Sequence, residues 1–163
     1  MKLKNGLGAL AALTVVGTFG IPAAHAQDAH TAPAFAVQTA ADVYIRSGYS
    51  AYARGDWKKA VLFSKKSTAK GIKKSRRSIA YANLCAALAQ QNKLADALTA
   101  CEAAVEMGPT NWRALNNRGA VNLLSGNGAA AHADFSAALP LAEGAAQVTH
   151  NAALASGAKL ARS

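Results

Sequence analysis

The chain has 163 residues and a formal charge of +10, from 18 Lys or Arg against 8 Asp or Glu. That length allows one domain of ordinary size, and 52% apolar residues are too many for a disordered chain. Alanine is the commonest residue by a wide margin and aromatics make up only 6%. Alanine is the best helix former and a poor strand former, so closely packed helices are expected and sheet-rich classes are largely excluded.

Residues 1–26 read as an address rather than as part of the fold. Lys2 and Lys4 open it, an uncharged apolar run extends from Leu7 to Ile21, and Pro22 and Ala24-His25-Ala26 close it. This is the pattern of a cleavable export signal, with the cut expected between Ala26 and Gln27 and a periplasmic or secreted product. No later segment is apolar enough to span a bilayer. Residues 27–40 have no periodicity and contain Pro33, so they are expected to form a loosely held leader.

Helical patterns follow. Residues 42–53 form the first, closed by Gly55-Asp56, and a second begins at Trp57. A third is expected over about 78–90, with a turn at Gln91-Asn92, and a fourth over about 94–107, stopped by Gly108-Pro109. A fifth runs from Trp112 to Leu124, a Ser125-Gly126-Asn127-Gly128 turn follows, and a sixth reaches about Leu139. Residues 144–161, with Val148, Ala152, Leu154 and Leu160, are expected to cap the stack.

The chain also repeats itself. The shift that places Leu84-Cys85 on Arg118-Gly119 also places Ala97 on Ala131, Cys101 on Phe135 and Ala104 on Ala138. That period, about 34 residues, is one of those that mark stacked helical repeats. Ala60 precedes Ala97 by slightly more than one period, so the first spacing contains a few extra residues. Two helices per period cannot bury their own faces, so the units must stack.

On these residues the chain resembles the tetratricopeptide repeat (TPR) family. That pattern asks for small residues at the eighth and twentieth positions, an aromatic near the twenty-fourth, alanine at the twenty-seventh and proline at the thirty-second. With units of 41–77, 78–111 and 112–145, the third matches through Gly119, Ala131, Phe135 and Ala138. The second matches through Cys85, Ala97, Ala104 and Pro109, and the first through Gly48, Gly55 and Ala60. Ser64 and Ser67 depart from the pattern and leave the end of the first unit least defined; Glu143 replaces the proline of the third. The resemblance implies an all-α, right-handed α-α superhelix over 41–145, with 146–163 as capping helix and tail.

It also implies a concave groove lined by the first helix of each unit, here through Ile45, Arg46, Tyr49, Asn83, Ala86, Gln90, Arg113, Asn116 and Asn117. Asn side chains can pair with peptide amides, while Ile45 and Tyr49 either anchor an apolar side chain or pack within the protein. TPR domains that clamp a chaperone's C-terminal carboxylate are matched at Asn83 and loosely at Arg113. Ile45, Tyr49 and Asn117 stand where that clamp has Lys, Asn and Arg, so such a ligand is not expected. Cys85 and Cys101 fall on facing helices of one hairpin. In an oxidising compartment they either bridge or serve as small apolar fillers.

Catalytic and metal-binding patterns are missing from the sequence. His30, His132 and His150 are dispersed, no phosphate loop or G-x-S-x-G elbow occurs, and neither an enzyme activity nor a cofactor is expected. Charge is concentrated instead. Residues 54–77 hold Arg54, Lys58, Lys59, Lys65, Lys66, Lys70, Lys73, Lys74, Arg76 and Arg77 against Asp56 alone. With Lys58, Lys59, Lys65, Lys66 and Lys70 on one helix face, this is either a solvated surface or a site for anionic envelope lipid or polymer. Export argues against nucleic acid. The expected function is a non-enzymatic, exported scaffold that binds a protein or peptide in the cell envelope, with electrostatic docking through 54–77 as the alternative.

Overall fold

The computed structural model describes residues 31–157 except Lys70. The expected export signal, residues 27–30, Lys70 and the tail from residue 158 therefore lie outside the described residues. Within them seven α-helices follow one another: α1 (Val43–Ala53), α2 (Trp57–Lys66), α3 (Lys74–Ala89), α4 (Leu94–Met107), α5 (Trp112–Leu124), α6 (Gly128–Ala138) and α7 (Ala146–Ala155). A 3-10 turn, Leu139–Leu141, separates the last two, and no strand occurs among the described residues.

The helix boundaries have local causes. Asp42 caps α1 by accepting from the Ile45 N–H, Asp56 caps α2 through Lys59, and Asn111 caps α5 through Arg113. Each hairpin turns through a residue in the left-handed region: Gly55 (φ 73°), Asn92 (φ 57°) and Gly126 (φ 80°). The last two stand one repeat period apart.

The paired helices approach through small side chains at repeat positions. Ala60, Ala97 and Ala131 are buried, as are Ser67, Ala104 and Ala138. The eighth and twenty-fourth positions of each unit meet in three different ways. Gly48 faces Ser64 in the first, Cys85 is disulfide-bonded to Cys101 in the second, and Phe135 lies over Gly119 in the third. Ser64 and Ser67, which blur the first unit in the sequence, thus occupy the sites of Cys101 and Ala104. The Ser67 hydroxyl, though buried, is satisfied by donating to the Asp42 carboxylate at 3.0 Å.

Two boundaries differ from expectation. The third helix begins at Lys74 rather than near 78, giving α3 16 residues against 13 in α5. The extra residues of the first spacing thus become a loop plus one added turn of helix. The basic stretch is divided accordingly between α2, a loop and the start of α3. α2 ends at Lys66, and the expected place of Lys70 on its face lies outside the described residues. At the other end, α7 begins one period after α5 and packs against it and α6. It stands as the first helix of a fourth unit, and α1, α3, α5 and α7 form one continuous row.

Candidate functional site

The row of first helices holds an extended segment of the chain itself. Residues 33–40 are neither helix nor strand, and Pro33 favours an extended conformation at the residue before it. Asn151 accepts from the Ala34 N–H at 2.7 Å and donates to the Ala34 carbonyl at 2.8 Å. Asn117 does the same to Ala36, at 2.8 and 2.9 Å. Asn83 does the same to Gln38, at 2.9 and 2.7 Å.

The three asparagines are spaced by one repeat period each, and their targets by two positions. An extended backbone turns the N–H and C=O of alternate residues to the same edge, where a carboxamide can meet both. All three side chains are nearly or fully buried, so these paired amides satisfy groups that would otherwise be costly to hide.

Neighbouring residues tighten the arrangement. Asn116 donates to the Ala34 carbonyl at 3.0 Å and accepts from Asn151 at 2.9 Å. Asn117 also donates to the Ala82 carbonyl at 3.0 Å, linking α5 to α3. Arg113, stacked 4.2 Å from the Trp112 ring centre, donates to the Gln38 side-chain oxygen at 3.2 Å. Burial moves Arg113 below its ordinary pKa, which leaves a guanidinium charged. The His150 ring lies 2.9 Å from the Ala32 carbonyl. Phe35 packs against the apolar clusters containing Cys85, Leu88, Val121 and Phe135, and Ala36 is only 3% exposed. Beside Gln38 an open cleft of about 590 Å³ remains, bordered by Lys74, Ser78 and Arg113.

The described part of the leader is therefore seated in the groove at residues 34, 36 and 38, contrary to the looseness expected of residues 27–40. Its hydrogen-bonded hold at residues 34, 36 and 38 comes mainly through the main chain, which leaves no periodicity in the side chains. The anticipated groove residues divide into three groups. Asn83, Arg113, Asn116 and Asn117 converge on the leader. Ile45 and Ala86 are fully buried and offer no open surface. Arg46, Tyr49 and Gln90 are exposed, with Gln90 donating to the Tyr52 hydroxyl at 3.2 Å. Asn151 is not among the expected groove residues, because a helix that merely caps the stack needs no groove face. Continuing the repeat period from Asn83 through Asn117 leads to it.

The second helices carry different chemistry. Asp134 is 5% exposed and accepts three hydrogen bonds from Arg118, with a further bond from Asn122 at 3.2 Å. On α2, Lys58, Lys59, Lys65 and Lys66 are exposed around Leu62, itself half exposed. Lys66 lies 5.3 Å from the Tyr44 ring centre. Among the described residues, no group of three or more His, Cys, Asp or Glu is placed to hold a metal ion.

Solved TPR domains share this fold. The first TPR domain of human RPAP3 superposes with a TM-score of 0.64 at 20% identity, over 71% of this chain and 88% of that one. The first TPR of Spaghetti (RPAP3) bound to the HSP90 peptide SRMEEVD gives 0.62 at 21% identity, over 71% and 90%. The TPR2B domain of yeast Sti1 in complex with pHsp70 gives 0.61 at 23%, over 70% and 94%. No family model matches the sequence, and no curated protein does. The architecture is thus that of a TPR solenoid, an all-α stack of helical hairpins.

Proposed function

We propose that this chain is a non-enzymatic, exported adaptor of the cell envelope that binds an extended segment of another protein in its concave groove. The carrying observation is the row Asn83, Asn117 and Asn151, each paired with both main-chain groups of one residue in an extended peptide. Such pairing recognises a peptide backbone. The peptide-bound state of similar folds, with Spaghetti holding an HSP90 peptide, supports the same mode of use. The sequence signal at 1–26 supports export. A chaperone tail is not the proposed ligand, because Ile45, Tyr49 and Asn117 depart from that clamp.

A photo-crosslinking residue at exposed Tyr49, used in intact cells, tests the reading. A defined envelope adduct that disappears with Asn117→Ala is expected, on a mature chain beginning at Gln27. An adduct indifferent to Asn117→Ala, or none, rejects groove binding, and an intact Met1 in the cytosol rejects export.

The basic face supports a second reading, docking on anionic envelope lipid or polymer. The specific observation is that exposed Leu62 lies one helical turn from both Lys58 and Lys66, with Tyr44 close to Lys66. Cationic side chains around exposed apolar ones suit an anionic interface, with affinity falling as salt rises. Replacing Lys58, Lys59, Lys65 and Lys66 by Gln should abolish sedimentation with anionic vesicles at low salt. Unchanged sedimentation returns the face to simple solvation.

A further inference from the structure

We propose that residues 31–38 are a tethered ligand of the groove, and that the partner segment replacing them is an extended peptide with one aromatic ring followed by a small residue. The inference rests on the groove-binding reading and adds to it the kind of segment admitted and the reason the groove is closed at rest.

The six bonds from Asn83, Asn117 and Asn151 go to main-chain groups, so any extended chain able to lie there can make them. Selection falls to the side chains. Ala36 is 3% exposed, so a larger side chain there would have to fit inside the packed groove. Phe35 packs against two apolar clusters and is the bulky group that stands between Ala34 and Ala36. At position 38, Arg113 asks for a hydrogen-bond acceptor, supplied in the leader by the Gln38 side-chain oxygen. The pattern admitted is an aromatic, then a small residue, then an acceptor two positions later.

The leader is also built to leave. Its bonds to the helices run to side chains of α3, α5 and α7, so its departure breaks no hydrogen bond within a helix. The helix pairs are held separately, through positions such as Ala60, Ala97 and Ala131. Once the groove opens, water can solvate the freed carboxamides. While seated, a segment tethered a few residues from α1 competes at an effective concentration in the millimolar range, so an untethered peptide is disfavoured until the leader is out.

The test uses the full chain and a fluorescent peptide of residues 31–39. In one variant, Phe35→Asp and Ala36→Pro spoil the leader while leaving every groove residue intact; Pro removes the N–H that Asn117 accepts. The variant is expected to bind the peptide at least 10-fold more tightly than the parent. It should reject the same peptide carrying Phe35→Ala or Ala36→Trp. Equal affinity of parent and variant, or no binding by a variant that keeps its helical circular dichroism, overturns the proposal, as does equal binding of the altered peptides. Should the variant fail to fold, amide exchange on the parent decides. Exchange at Ala34, Ala36 and Gln38 at least 100-fold faster than at Cys85 and Ala86 supports a leader that opens locally. Exchange only at the rate of global unfolding makes it a fixed part of the fold and overturns the proposal. An in-cell crosslink lost with Asn117→Ala beside a failed peptide test would retain groove binding and remove only this inference.

Discussion

Phe135 lies so close over Gly119 that a Cβ at residue 119 would sit 2.6 Å from its ring Cε1. The α5–α6 hairpin is thus closed by a ring on bare backbone, with both residues buried. Gly119→Ala is expected to lower stability by about 1–3 kcal/mol, as overpacking of a dense core does. Pairing it with Phe135→Leu should recover part of the loss. Thermal melts of the two single variants and the double check this, and simple additivity would refute the direct contact.

In the preceding hairpin the same two positions hold the disulfide, with Cα atoms 5.2 Å apart and the cysteines separated by 16 positions in sequence. A bridge across a loop of that length contributes about 3 kcal/mol in the chain-entropy model. Oxidised protein, denatured without reductant, should show no free thiol. Reduction should shift its denaturant midpoint downward. Two titratable thiols would leave Cys85 and Cys101 as fillers.

Asp134 is the buried counterpart of Arg118, which is 29% exposed along its side chain. Asp134→Ala removes the acceptor of both Arg118 and the Asn122 carboxamide. A loss of about 1–3 kcal/mol is expected, below that for a fully buried pair because water reaches the guanidinium. The double change Arg118→Met, Asp134→Leu should be milder than the sum of its parts. Urea unfolding of the set measures the coupling.

Acid sensitivity should centre in part on Asp42. Its carboxyl is held below the ordinary carboxylate range, chiefly by the Ile45 N–H and further by the Ser67 hydroxyl, against a smaller opposing effect of burial. A group depressed in the folded state stabilises above its unfolded pKa, and that contribution disappears as pH falls through the lower folded value. Stability should therefore decline below about pH 4, where an unfolded Asp takes up its proton. Asp42→Asn should make the decline shallower without removing it, because Asp56 is depressed in the same direction by Lys59. Melting temperature against pH for both proteins provides the check.

The helices are legible in the sequence because their signals are local. Gly55, Asn92 and Gly126 mark turns, Gly108-Pro109 marks a stop, and small residues recur at Ala97 and Ala131. The start of α3 is not legible, because Lys74 to Arg77 carry no apolar periodicity and the first two of them are exposed. Within the site, Asn83, Asn116, Asn117 and Arg113 are readable from position in the repeat. The occupant is not, since Ala34 and Ala36 are held by main-chain groups that nearly every residue possesses. Ile45 and Ala86 occupy groove positions in the pattern but are packed away by neighbouring elements, an outcome that spacing alone does not reveal.

The match between one repeat of protein and two positions of leader works as a ruler. α3, α5 and α7 each read one residue in two, and an extended chain advances about 6.6–6.8 Å over that interval. A bound segment can therefore shift only in steps of two without losing its pairs, since a shift of one turns the wrong edge of the backbone toward the carboxamides. Adding one more hairpin with Asn at the same place would lengthen the readable stretch by two positions, so the length of segment recognised is set by the number of repeats.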